Sequence, residues 1–232
     1  MVWALLVSTL FLLGLVGVLL AVRQLAKRSL RRRHQVAAMA IQQLVHYHGW
    51  RYAPVDPTLL ARFAKGDPFD LALPNRRTAQ HVVTGQYRGR WFCCFQFSYR
   101  QPQDTYGLKP LVHFKVWVIP TPAHRPELQV SRANSLAGLF RGGEQVELES
   151  TQFNESFTVL SASPRFAFDV LHPRMMQWLL ADSRAQRIPF RFEGGELIGW
   201  ELGALTGHEI EYGVNYLCDI ADQVPDFVWR QY

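Results

Sequence analysis

The chain has 232 residues, of which 48% are hydrophobic, 19% charged and 13% aromatic. That is one ordinary domain with room for an appendage, and it is neither collagenous nor disordered in composition. Three cysteines exclude a disulfide framework. The net charge of +6 is local, because residues 1–33 hold six basic and no acidic residues, leaving 19 of each sign in 34–232. A domain with no net charge offers no general field for phosphate, which argues against nucleic acid as a partner.

Val2 to Val22 is 21 residues without a charge. As a helix it would be roughly 31 Å long, close to the thickness of a bilayer core. Arg23, Lys27, Arg28, Arg31, Arg32 and Arg33 follow it and no basic side chain precedes it. This reads as an N-terminal transmembrane anchor over 1–22, with a basic juxtamembrane segment and helical stem over 23–49. The charge asymmetry puts the N-terminus out and a domain over 50–232 in the cytoplasm, on the inner membrane. The six basic residues are also placed to meet anionic lipid headgroups. Cys93, Cys94 and Cys218 are expected as free thiols in that compartment.

Residues 34–48 read as a helix with Val36, Met39, Ala40, Leu44 and Tyr47 on one face, stopped at Gly49. A short helix opens at Asp56-Pro57. Two strands, Val82–Tyr87 and Arg90–Tyr99, flank a turn at Arg88-Gly89. In the second, Trp91, Cys93, Phe95, Phe97 and Tyr99 share the core face. Leu111–Ile119 is a third strand, and Leu128–Val130 a short fourth beyond a proline-rich connection. Glu144–Glu149 alternates as a strand, Phe153-Asn154 turns, and Phe157–Leu160 is another strand. Ser163-Pro164 and Pro173 each open a helix. Phe190–Glu193 and Leu197–Leu202 form a hairpin around Gly194-Gly195, and a last helix covers Glu209–Gln223. The fold class expected is α+β: an N-terminal transmembrane helix, then one domain with a mainly antiparallel sheet backed by helices.

Chemistry is sparse. The chain has no nucleophile elbow, no phosphate-binding glycine loop and no His-Glu-x-x-His. No cofactor and no metal are expected. Asp169, His172 and Arg174 form a small polar cluster with Arg165. It could supply a base assisted by a carboxylate, or simply cap a helix.

The stretch Glu149-Ser-Thr-Gln-Phe153-Asn154-Glu-Ser-Phe157-Thr-Val159, with Pro164-Arg-Phe-Ala167 and Leu171-His-Pro-Arg-Met-Met176, resembles an uncharacterised family of bacterial single-pass membrane-anchored proteins of unknown function. The resemblance implies an anchored domain and transfers no catalytic residue. The function expected is a membrane-anchored cytoplasmic interaction module, its partners the membrane and a membrane or cytoplasmic protein. The alternatives are an enzyme with a site near Asp169, His172 and Arg174, or a sensor of anionic lipid surfaces.

Overall fold

The structure is a computed structural model that describes Gln24 and residues 38–63, 66–71, 77–100, 111–133 and 143–231. Among these residues seven strands form one antiparallel sheet. Residues 38–48 are a helix, α1. Then come β1 (Arg51–Val55), α2 (Leu59–Arg62), a single 3-10 turn at Phe69–Leu71, β2 (Arg77–Tyr87), β3 (Arg90–Arg100) and β4 (Leu111–Arg132). The rest is β5 (Glu144–Gln145), α3 (Thr151–Ser156), β6 (Phe157–Ser161), α4 (Pro164–Val170), α5 (Pro173–Ala181), β7 (Phe190–Leu202), α6 (Gly207–Gln223) and α7 (Val228–Gln231).

The sheet runs β1-β2-β3-β4-β6-β5, and β7 pairs with β4. Strand β4 organises it, spanning 22 residues. Its first half pairs with β3 (Cys93 with Val118, Phe97 with Phe114) and its second with β6 (Val130 with Val159). Strand β7 follows it from Phe114 opposite Leu202 to Val130 opposite Phe190. The α+β, mainly antiparallel part of the expectation stands. The transmembrane part is corrected: among the described residues no helix is long and apolar enough to cross a membrane. The longest of them, α6, has 17 residues, about 26 Å of helix, and carries Glu209, Glu211, Asp219 and Asp222. The run Val2–Val22 and the six basic residues of 23–33 lie outside the described residues.

Two expected connections are strand instead. The prolines at 120, 122 and 126 sit within β4, where register shifts between Pro120 and Leu128 absorb their missing donors. Gly194-Gly195 makes no hairpin, since β7 runs through it, with Gly194 at φ +60 opposite Arg125 at the same irregularity. The turn expected at Phe153-Asn154 is helix α3, begun by the Ser150 hydroxyl, which accepts from Phe153 N. The expected hairpin does form at Arg88 (φ 50) and Gly89 (φ 75), both in the left-handed region that a two-residue type I′ turn needs.

The sheet has two apolar faces. One packs on α1 and α3 to α7 around Trp117, Leu128, Val130, Phe166, Leu179, Phe192 and Leu217. In α1 the buried side chains are Ile41 and Val45, while Met39 is exposed, so the inward face is turned from the one expected. The other sheet face is smaller and aromatic, and it carries the candidate site.

Candidate interaction surface

Alternation along β3 sends Trp91, Cys93, Phe95, Phe97 and Tyr99 to one side. The register adds Val112, Phe114, Val116 and Val118 from β4, and Ile198, Trp200 and Leu202 from β7. Rings from three elements connect across this face. Phe63 stacks on Phe69 (centroids 5.7 Å) and on Phe95 (5.7 Å), and Phe69 meets Phe97 edge-on at 5.1 Å. Phe97 then touches Phe114 at 6.5 Å, and Phe114 stacks on Tyr99 at 6.4 Å. Each contact lies in the range where aromatic pairs attract beyond simple burial.

The middle of this aromatic ladder is covered by a strap made of α2 and residues 66–71. Leu59, Phe63 and Phe69 are buried against the sheet. The strap begins at Asp56, whose carboxylate accepts from Thr58 N (2.9 Å) and Thr58 Oγ1 (2.6 Å) and is held below its ordinary pKa by them. Helix α2 therefore starts two residues later than Pro57. Arg62 pairs with Glu196 of β7, and Arg77 donates to Phe69 O at 3.3 Å.

At its inner end the strap meets buried charge. Arg191 is 0% exposed; its Nη1 donates to Asp67 O at 2.9 Å and its Nη2 to Glu193 Oε2 at 2.7 Å. Asp67 is 2% exposed, and its Oδ2 accepts from Gln129 Nε2 at 3.4 Å. Burial pushes the Asp67 carboxyl up to about 6, against the lowering effects of Gln129 and Arg191. Gly66 sits at φ +71, which favours glycine, and a Cβ there would lie 2.0 Å from Arg191 Nη1, so the guanidinium would have to shift.

The ladder stays open at its ends. Trp91 is 62% exposed, in contrast to its expected core role, and Leu202 is 66% exposed. The register places them at opposite ends of the face, Trp91 against Gln86 and Leu202 against Phe114. Half-buried Cys93 lies next to Trp91 in the alternation, its thiol pushed up to about 12 by burial. Cys93, Cys94 and Cys218 are free thiols.

On the opposite sheet face a polar network closes the start of α6. Lys115, 5% exposed, donates to Glu201 (2.9 Å) and Glu209 (2.5 Å). Glu209 also closes a capping box with Thr206. Nearby, Ser98 Oγ lies 2.7 Å from His113 Nδ1, and Gln96 Oε1 accepts from Leu205 N at 3.1 Å. Each side chain is occupied in joining β3, β4 and β7 to α6.

The cluster suggested by sequence takes up helix-end roles. His172 is the N-cap of α5: Nδ1 accepts from Met175 N at 3.4 Å and Nε2 meets Gln223 O at 3.1 Å. Asp169 faces Arg165 one turn back at 3.9 Å, and Arg174 is exposed. Among the described residues no group of three His, Cys, Asp or Glu side chains could hold a metal ion. The sequence shows the short helix of the strap but not its seating on the sheet, for which Phe63 and Phe69, six residues apart around Gly-Asp-Pro, are the available signal.

No protein-family model matches the chain, and no curated protein does. Among solved structures, the crystal structure of the mycobacterial trehalose monomycolate transport factor A, TtfA, has a similar fold. The TM-score is 0.61 at 14% identity, over 81% of this chain and 93% of that one. At that identity the likeness is one of fold.

Proposed function

We propose that this chain is an interaction module that docks a membrane transport protein at the cytoplasmic face of the membrane, through the open ends of its aromatic ladder. The observation that carries the reading is the exposure of Trp91 and Leu202 at the two ends of one apolar face whose centre is covered. Large apolar and aromatic side chains left in water beside a polar rim are the usual anchors of protein interfaces. Arg62, Glu196 and the exposed Gln86 supply such a rim. The fold shared with a protein named as a transport factor supports placing the partner among transport proteins. The basic residues Arg23 to Arg33 support a position beside anionic lipid.

The test is photocrosslinking in cells with the full chain, the reactive side chain replacing Trp91, Leu202 or, as a control on α5, Arg174. The expected result is an adduct with one membrane transport protein from positions 91 and 202 that is missing from 174. The same adducts from all three positions, or none from 91 and 202, would overturn the reading. So would turnover of a substrate by the purified chain alone.

A further inference from the structure

We propose that the outward face of α1, carrying Met39, Gln43 and Tyr47, is the surface by which this domain seats on an anionic lipid bilayer. The proposal rests on the membrane position given above and adds which side of the fold meets the lipid. Helical spacing separates the two sides of α1. Ile41 (0% exposed) and Val45 (7%) face the core. Met39, Gln43 and Tyr47 recur every four residues on the other side. Met39 is 61% exposed and Tyr47 81%, and Gln43 is exposed between them. Gln42 and His46 beside them are exposed as well.

The helix is fixed to the domain at both ends, so this face is held in one orientation. Trp50 N donates to Val45 O at 2.9 Å and closes the helix. The His48 ring stacks on Trp50 (centroids 4.3 Å), and its Nε2 meets Glu211 of α6 at 3.2 Å. Tyr47 stands edge-on to the same imidazole at 5.0 Å, which steadies the exposed phenol. Towards the start of α1 the Ala40 carbonyl packs on Gly207, where a Cβ would come within 3.5 Å of it.

Charge selects the partner. No carboxylate precedes Asp56 in the chain, and residues 1–55 hold seven Lys and Arg, leaving 18 basic and 19 acidic residues for 56–232. Arg31, Arg32 and Arg33 are five to seven residues from Ala38, so chain length alone keeps them within about 25 Å of it. The Glu211 carboxylate on the inner side of α1 is taken by His48. An anionic lipid surface is therefore attracted to the α1 side of the molecule, while the rest carries no net attraction. The face itself suits lipid. Met39 offers a flexible apolar chain, and Tyr47 an amphipathic ring of the kind that settles at headgroup level. A nucleic acid or an acidic protein would need Lys or Arg on the face to pair with, and α1 has neither between Ala38 and His48.

The test uses the purified full chain with an environment-sensitive fluorescent amino acid at Gln43 or, as controls, at the exposed positions Trp91 and Gln177. Vesicles of phosphatidylcholine, with or without phosphatidylglycerol, carry a quencher on the acyl chain. Quenching at 43 should require phosphatidylglycerol, exceed that at 91 and 177, and fade as salt shortens the screening length. Met39→Glu and Tyr47→Glu, both at exposed positions, should each weaken the contact about fivefold, one charge beside such a surface being worth about 1 kcal/mol. No quenching at 43, equal quenching at all three positions, or quenching at 43 in phosphatidylcholine alone would overturn the proposal. So would an emission shift at 43 on adding soluble polyglutamate without vesicles, which would mark an acidic protein as the partner. The vesicles contain no protein, so this result and the crosslinks at 91 and 202 fail separately.

Discussion

The indole of Trp117 and the backbone of Gly213 share one contact so close that a Cβ at 213 would lie 2.1 Å from Trp117 Cε2. The same edge of the ring is tied to this helix one turn earlier, since Nε1, itself 2.5 Å from that Cβ position, donates to Glu209 O at 3.0 Å. Replacing a helical glycine by alanine would ordinarily gain about 1 kcal/mol. Here overpacking against a ring that cannot retreat costs more, so Gly213→Ala should lose about 1–3 kcal/mol net in urea unfolding. Adding Trp117→Phe should make the pair less damaging than the sum of the two single changes.

Lys115 is the buried cation that holds two carboxylates. Burial lowers its pKa, but the hydrogen bonds it donates to Glu209 and Glu201 outweigh that and raise the net value. Glu209 shows the converse: burial raises its pKa, and Lys115 and Thr206 bring it below the ordinary value. Glu209 therefore contributes stability above its unfolded pKa that is lost as pH falls through the lower folded one. Lys115→Met should cost roughly 3 kcal/mol at pH 7, because Glu209 is left without its cation while Glu201 keeps Arg187. The penalty should shrink towards pH 4, where the stranded carboxylate is protonated. A penalty that is equal at both pH values in denaturant titrations would contradict this account.

Asn154 bridges the main chain of Leu148, its Oδ1 accepting from the amide (3.1 Å) and its Nδ2 donating to the carbonyl (2.8 Å). That clamp lets the chain leave β5 and still bury Val146 and Leu148. Asn154→Leu should cost about 1–3 kcal/mol, since both main-chain groups lose their partner. Thermal unfolding measures this directly, and Asn154→Ser should recover little, because it cannot span both atoms.

His172 caps α5, and His172→Ala should cost about 1 kcal/mol, with Asn at the same position restoring most of it. Equilibrium unfolding distinguishes this from an interior role, for which Asn would not substitute.

The parts of the fold set by local chemistry were legible in the sequence. The Arg88-Gly89 turn, the alternation of β3, the Ser163-Pro164 start and the periodicity of α6 each follow from neighbours within a few residues. What was not legible depends on distant partners. Prolines 120, 122 and 126 read as a connection because nothing local reveals that β7 will line up beside them. Nothing near Arg191 in sequence marks it as buried, yet it is fully buried, because its cover arrives from Asp67 more than a hundred residues away. Trp91 reads as core by alternation, and is exposed because the strap reaches Phe95 and stops. The open end of the candidate surface is thus a matter of how far one short segment extends.

Strand β4 has a mechanical implication. One continuous 22-residue segment borders β3, β6 and β7, so the aromatic ladder and the helical side of the sheet hang from the same polypeptide. A slip of β4 along its own axis would therefore change its register with β3, β6 and β7 together.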